Sequence, residues 1–317
     1  MTPISRESLS RPVPCWPLTR ATAVISLLFV WVLSPPVVAA TDVSPLLWRV
    51  SSQTSAGQVY LLGSIHFGHP SLYPLPPPVM DAYHDAEALA VELDLEAVDP
   101  HHAARLMQAQ GRYPAGVTLR DTLGPPTWQR LRQVCEDLGV DVERFLQVKP
   151  WLVAVQLVSL QMLQTDYRKE LGVDRHFLRL ARGEKPILEL ETLEEQLAIF
   201  GQFSDREQYV FLKQTLDAHE RGQAHLDIIA AGWRAGDREA LAATVLAAFD
   251  SEDVGARLYR LVFSERNARM ASAAVGFLAR NERVFMVAGV GHMLGEEGIV
   301  ARLDRAGYRV EQVSPGG

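Results

Sequence analysis

Two apolar, strand-like segments near opposite ends of the 317-residue chain each run into the sequence Gly-x-x-His. The first is Gly63-Ser64-Ile65-His66 and the second is Gly289-Val290-Gly291-His292. In open α/β sheets, ligands bind at the carboxyl ends of the strands. If both segments belong to one sheet, the two ends of the chain must meet at that edge, and this requirement is the strongest constraint on the fold.

The hydrophobic pattern places strands towards both ends of residues 41–317 and helices between them. The expected strands form a hairpin at 48–51 and 59–62 and continue at 88–93, 185–190, 283–288 and 308–313. No linker divides this region, which we interpret as one domain. The predicted class is α/β (α+β), with a large helical insertion. The central sheet is expected to consist of two similar halves, each formed by a strand, a Gly-x-x-His element and a helix.

The insertion carries clear helix signals. Thr192 with Glu195, and Ser204 with Glu207, each fit a capping box at a helix start. The apolar segment 151–163 is interrupted by polar residues at helical spacing, which predicts a core helix with one solvent-exposed face. A membrane-contacting or dimerising helix is the alternative for this segment, although it is too short to span a bilayer.

The first forty residues are typical of a secretory signal peptide. Arg6, Arg11 and Arg20 precede an apolar run over residues 21–33, and Val38-Ala39-Ala40 offers a cleavage site. We therefore predict export to the periplasm or the medium. An uncleaved anchor is the alternative, and the membrane would then be contacted only through this segment. The net charge of −7 and the lack of a Lys/Arg cluster argue against nucleic-acid binding.

Each Gly-x-x-His element predicts a histidine held on a short loop at the edge of the sheet. Glycine permits a sharp turn and a close backbone approach, and histidine can serve as a metal ligand or as a general base near neutral pH. One such element is a weak signal, because it is more often a structural turn. Two of them, His66 and His292, each after an apolar strand, are more specific.

Two glutamates also follow predicted strands and could belong to the same site. Glu92 and Glu191 each end an apolar strand, where a carboxylate is poorly solvated unless it has a partner. Glu92 could instead be an exposed strand end, and Glu191 could be an anion at a helix N-terminus. Arg266 and Asn267 lie on a long predicted helix and could stabilise an oxyanion and position a carbonyl, or could simply face solvent.

These residue types allow two kinds of site. Two histidines and one or two glutamates could complete a divalent metal site with an open position for water. They could also form a metal-free pair of base and carboxylate that activates water.

Several spaced motifs resemble the TraB/GumN family. The resemblance covers roughly residues 47–313, so it includes nearly all of the chain beyond the predicted signal peptide. The motifs that carry it most clearly are Trp48-Arg49-Val50, Tyr60 to Gly68, Ala90 to Asp94, Gly172-Val173-Asp174, Glu265-Arg266-Asn267 and Gly289 to Gly295.

This resemblance implies a particular site and activity. The family includes animal Tiki proteins, which are metal-dependent peptidases using both Gly-x-x-His motifs and a glutamate, and more distant kin are esterases whose histidine acts on water without metal. The implied site is His66, Glu92 and His292 with a divalent metal (Mn, Co or Zn), and its supporting residues are Glu191, Arg266 and Asn267.

The expected function is accordingly metal-dependent hydrolysis of a peptide or protein substrate. A non-catalytic module that sequesters a peptide or signal, and a metal-free esterase-like hydrolase, are the alternatives. The sequence does not predict an oligomeric state.

Overall fold

A mixed six-stranded sheet joins the two ends of the chain in the computed structural model, which describes residues 44–249 and 254–314. The strand order is β4-β3-β5-β2-β1-β6. The strands β2, β5, β3 and β4 are parallel, whereas β1 pairs antiparallel with β2 and β6. Their bounds are β1 Leu47–Ser51, β2 Gln58–Ser64, β3 Ala88–Val91, β4 Ile187–Glu189, β5 Arg283–Gly289 and β6 Arg309–Gln312.

The two Gly-x-x-His elements begin at neighbouring strand ends. Strands β2 and β5 are adjacent and in register, with Gly63 opposite Ala288 and Ser64 opposite Gly289. Because both strands run in the same direction, the loops bearing His66 and His292 leave from the same edge of the sheet. The α/β class and the joining of the two halves in one sheet are confirmed.

Helices pack against the sheet, and the long sequence between β3 and β5 is mainly helical. Both predicted capping boxes form, at Thr192–Glu195 and at Ser204–Glu207. The helices are α1 Pro77–Asp85, α2 Pro100–Gly111, α3 Leu119–Asp137, α4 Pro150–Met162, α5 Val173–Ala181, α6 Leu193–Gly201, α7 Asp205–Ala235, α8 Arg238–Val245, α9 Val254–Tyr259, α10 Glu265–Ala279 and α11 Ile299–Arg305.

The described residues bury two apolar clusters. One surrounds the sheet and includes Leu61 and Phe285, both with no exposed surface. The other lies within the insertion, where α3, α4, α7 and α9 pack together around side chains such as Trp151. Helix α4 is therefore a core helix, as its pattern predicts. Within the described residues, no helix is both long and apolar enough to cross a membrane.

Some elements differ from the sequence prediction. Helix α3 bends at Gly124 and α7 bends at Gly222, each glycine having a positive φ angle that interrupts the helical backbone. The long helix predicted to carry Arg266 and Asn267 is preceded by a π-helical turn at Arg260–Ser264, which links α9 to α10. Helix α5 is not among the predicted elements. The predicted signal peptide, residues 1–40, lies outside the described residues and stays a prediction.

A single indole connects the insertion to the end of β2. Trp233 on α7 is buried, and its Nε1 donates a hydrogen bond of 2.7 Å to the carbonyl of Gly63. We predict that Trp233→Phe lowers the free energy of unfolding by about 1–3 kcal/mol, because a buried acceptor loses its donor. Urea denaturation followed by circular dichroism measures this change.

The matched control is Trp128→Phe, which removes a similar ring volume from the helical core. If the two variants lose the same stability, the hydrogen bond to Gly63 contributes nothing beyond packing.

Candidate active site

His66 lies just beyond β2 and is oriented by a carboxylate from α5. Its Nδ1 is 2.5 Å from Oδ2 of Asp174, whose side chain is 9% exposed, whereas the imidazole itself is half-exposed. With Nδ1 bound to the carboxylate, Nε2 is the ring nitrogen left for a substrate or ligand.

The position of Asp174 follows from how α5 packs against the first Gly-x-x-His loop. The backbone N–H of Val173 donates to the carbonyl of Ile65 at 3.0 Å. A Cβ at Gly172 would lie 2.4 Å from the carbonyl oxygen of His66, so only glycine permits this approach. The segment Gly172-Val173-Asp174 therefore brings a carboxylate directly to the imidazole.

His292 is oriented by an amide instead of a carboxylate. Its Nδ1 is 2.6 Å from Oδ1 of Asn267, while Nδ2 of the same amide donates to the carbonyl of Glu297 at 2.8 Å. This donation assigns Oδ1 as the acceptor, so Nδ1 of His292 carries the proton and Nε2 keeps its lone pair. Both residues are buried within α10 and the loop after β5.

Glu92 lies between the two histidines at the end of β3. Its Oε1 accepts a hydrogen bond of 2.6 Å from the backbone N–H of Gly289, and its Oε2 accepts one of 2.6 Å from Nη2 of Arg266. The same Oε2 is 3.6 Å from Nε2 of His292. The carboxylate thus contacts the end of β5, the helix α10 and one of the imidazoles.

Arg266 joins Glu92 to Glu191. Its Nη2 lies 2.5 Å from Oε2 of Glu191, and its Nε lies 2.8 Å from Oε1 of the same carboxylate. Arg269 adds a bond of 3.1 Å to Glu191. Arg266 is 8% exposed and Glu191 is 2% exposed, which excludes the solvent-facing alternative for the arginine. Burial makes each of these charges dependent on its partners.

The three central groups converge beside Gly289. A Cβ on this residue would lie 3.3 Å from Nε2 of His66, 3.3 Å from Oε1 of Glu92 and 3.7 Å from Cδ2 of His292. The two imidazoles and the carboxylate therefore border one small space that a larger side chain would fill. A cavity of about 460 Å³ opens beside His66, Glu92 and Arg266.

The two imidazoles differ in their pKa. Burial lowers the pKa of His292 to about 4, although the charge of Glu92 opposes this shift. Desolvation also acts to lower the pKa of His66, but the charge and hydrogen bond of Asp174 outweigh it and raise that pKa to about 9. At neutral pH, His292 is therefore neutral and His66 is an imidazolium ion.

Glu92 stays ionised throughout this range. Burial acts to raise the pKa of Glu92, but the positive charge that His292 carries below about pH 4 and the charges of Arg266 and His66, together with the Gly289 N–H, lower it to about 2. The pKa of Glu191 is also lowered, since its bonds to Arg266 outweigh its desolvation. The site thus contains two buried carboxylates balanced by a guanidinium group.

The predicted metal ligands have suitable donor atoms but a different arrangement. His66, Glu92 and His292 offer two nitrogens and a carboxylate, a donor set that divalent ions accept. However, both oxygens of Glu92 are engaged by Arg266 and Gly289. Within residues 44–249 and 254–314, no group of three or more His, Cys, Asp or Glu is placed to hold a metal ion. In this arrangement, His66, Glu92 and His292 are not placed as joint ligands of the metal that the resemblance implies.

All six residues singled out in the sequence lie in this one network of contacts; they are His66, Glu92, Glu191, Arg266, Asn267 and His292. Sequence reasoning gave no role to Asp174, which contacts His66 from α5. The motif Gly172-Val173-Asp174, which contributes to the family resemblance, was the available signal, yet it does not show that residue 174 contacts residue 66.

This combination of fold and motifs defines a family. The profile of the TraB/PrgY/gumN family matches residues 46–312, and the chain belongs to that family.

Three named proteins are similar to the chain at 24–30% identity. The uncharacterized protein YbaP of Escherichia coli (strain K12) is 30% identical over 148 residues. These residues make up 46% of this chain and 53% of YbaP, so the chain spans about half the length of that relative. An uncharacterized protein of Treponema pallidum is 24% identical, with coverage of 80% and 78%. The protein named Metalloprotease TIKI2 of Xenopus tropicalis is 25% identical, with coverage of 87% and 61%. No solved structure matches.

The buried arginine provides a test of the network. We predict that Arg266→Met lowers the free energy of unfolding by about 3–5 kcal/mol at pH 7, because Glu92 and Glu191 are buried carboxylates that lose the guanidinium group they share. Urea denaturation measures this loss.

Arg269→Met is the matched control. Arg269 is half-exposed and contacts Glu191 alone among these carboxylates, so its loss is expected to cost about 1 kcal/mol or less. Equal losses in the two variants would contradict the central role of Arg266.

Proposed function

We propose that this chain is a hydrolase that cleaves peptide bonds at the site formed by His66, Glu92 and His292. The observation that carries the proposal is that two imidazoles flank one carboxylate but are held by unlike partners, Asp174 for His66 and Asn267 for His292. Asp174 raises the pKa of His66 whereas burial lowers that of His292, and environments that shift two titratable groups in opposite directions supply an acid and a base at the same pH. The similarity to a protein named Metalloprotease TIKI2 supports peptide hydrolysis.

In the proposed reaction, the neutral Nε2 of His292 removes a proton from water as the water oxygen bonds to the substrate carbonyl carbon. The Nε2–H of the His66 imidazolium then donates its proton to the amide nitrogen as the carbon–nitrogen bond breaks. The products are a carboxylic acid and an amine. Proton exchange with solvent returns His292 to its neutral form and His66 to its charged form.

The remaining residues of the site hold these groups in place. Glu92, with its Oε2 at 3.6 Å from Nε2 of His292, stabilises the imidazolium that forms when His292 accepts a proton. Arg266 is a positioning residue, because its guanidinium group already bonds to both glutamates and to the carbonyl of Val262. Asp174 and Asn267 fix the orientation of the two rings.

A metal-dependent hydrolase is the second candidate. It is supported by the similarity to the protein named Metalloprotease TIKI2. It is also supported by the two histidines, each of which binds an oxygen acceptor through Nδ1 and keeps Nε2 for the site, as metal-ligating histidines do. A divalent Mn, Co or Zn ion would be held by His66, Glu92 and His292, and Glu92 would then have to exchange its present bonds.

We also propose that the chain acts after export, in the periplasm or outside the cell. The support is the basic and apolar pattern of residues 1–40.

The activity is tested by incubating the purified chain with a mixed peptide library and detecting new termini by mass spectrometry. We predict that His292→Gln and His66→Gln each lower kcat/KM by roughly 10²–10⁴-fold, the usual contribution of a general acid or base. His101→Ala is the control, because His101 is an exposed histidine outside the site. Peptide binding without any product would favour the sequestering alternative and would overturn the hydrolase.

Metal content separates the two mechanisms. If activity persists in chelator and the protein contains less than stoichiometric metal, the acid–base mechanism stands. If activity is lost in chelator and restored by Mn, Co or Zn, and if His66→Ala and His292→Ala lose bound metal, the metal-dependent candidate replaces it.

The acid–base mechanism also predicts a pH profile. A general base must be unprotonated, so kcat/KM is expected to fall as the pH drops through about 4, the pKa of His292. A general acid must be protonated, so kcat/KM is expected to fall as the pH rises through about 9, the pKa of His66.

Asp174→Asn provides the matched variant. Since the charge of Asp174 is what raises the pKa of His66, this variant is expected to move the alkaline limb to lower pH and to leave the acid limb in place. An alkaline limb that does not move would remove His66 from the role of acid.

A further inference from the structure

The cavity beside the site has one polar wall and a largely apolar remainder. Its polar wall contains His66, Glu92, Asp174 and Arg266, which form the site already described. The other walls are contributed mainly by the side chains of Phe67, Leu95, Ile199, Phe200, Phe211 and Val262. A ligand in this cavity that reaches the imidazole of His66 therefore places its polar atoms on one side and its remaining volume against apolar side chains.

The size of the cavity suits more than a water molecule or a small polar group. Its volume of about 460 Å³ falls within the roughly 300–1,000 Å³ typical of small-molecule sites. The two further charged residues in its lining are already paired, Arg175 with Glu96 at 2.5 Å and Lys169 with Glu170 at 3.9 Å. The cations His66 and Arg266 likewise contact carboxylates, so an acidic group in the cavity would have to compete with Asp174 and Glu92 for them.

Ser64 supplies a second, independent observation. This residue ends β2, lines the cavity and is 1% exposed. Its Oγ has no hydrogen-bond partner among the described residues. A buried hydroxyl without a partner costs free energy, and a substrate carbonyl or N–H in the cavity would remove that cost.

We propose that this cavity is the subsite for a large apolar side chain of the substrate, and that the Ser64 hydroxyl binds the substrate backbone beside it. The inference rests on the proposed function, since it places the apolar side chain next to the bond that His66 and His292 act on. The preferred substrates are peptides with Phe, Leu or a similar residue adjacent to the cleaved bond. Peptides with Ala or Asp at that position are disfavoured.

The test measures binding and does not need turnover. The probe is N-acetyl-4-fluorophenylalanine amide, observed by ¹⁹F NMR in the presence of the purified chain. Unlabelled N-acetyl amides of Phe and Leu are expected to displace it at least about tenfold more effectively than those of Ala and Asp, because they bury a large apolar side chain. Equal displacement by all four amides, or no binding of the probe, would overturn the proposal.

Two variants fill the cavity from different elements, and a third is their control. Leu95→Trp and Val262→Trp are each expected to abolish probe binding, while Val117→Trp, at an exposed position outside the cavity, leaves it unchanged. Two filling variants guard against misfolding in one of them, which circular dichroism detects. Probe binding that survives in both folded filling variants contradicts the assignment of the cavity.

Ser64→Ala tests the polar contact separately. Removing an unpartnered hydroxyl should leave the stability unchanged or slightly raised, yet weaken probe binding about three- to tenfold. Unchanged affinity would exclude Ser64 from the subsite.

The binding assay also keeps this inference distinct from the proposed function. Selective binding without cleavage of any peptide would contradict the hydrolase and leave the subsite intact. Cleavage with no preference for apolar side chains would contradict the subsite alone.

Discussion

The buried ion pairs of Arg266 with Glu92 and Glu191 are the interaction on which the rest of the site depends. They join the ends of β3 and β4 to α10, which also carries Asn267 and thereby orients His292. None of the three charges is stable in such a buried position without the others. The same carboxylate of Glu92 accepts the Gly289 N–H, so the end of β5 is held by this network as well.

The two Gly-x-x-His elements look alike in sequence but provide different chemistry. A half-exposed imidazole beside a carboxylate is stabilised as a cation, whereas a buried imidazole beside an amide is kept neutral. Neither motif contains the group responsible for this difference. Asp174 comes from α5 and keeps His66 charged, whereas burial in the packed chain keeps His292 neutral.

Much of the fold could be predicted because its signals are local. The hairpin of β1 and β2, the two capping boxes and the strands leading into Gly-x-x-His follow from side-chain periodicity and turn chemistry. The bend at Gly222 was not predicted, because a helix tolerates an isolated glycine until packing selects another backbone conformation. Asp174 was likewise missed, since its contact with His66 connects residues 108 positions apart.

The sequence by itself determined the α/β class, the family and the residue types at the two strand ends, because hydrophobic periodicity and spaced motifs can be recognised along the chain before it folds. The tertiary structure decided the partners of those residues. Arg266 donates a hydrogen bond to Glu92, the carboxylate that was expected to bind a metal. Asp174 contacts His66, and Asn267 contacts His292. The physical reason is that charge state and ligand capacity depend on burial and on neighbours, which are properties of the packed chain.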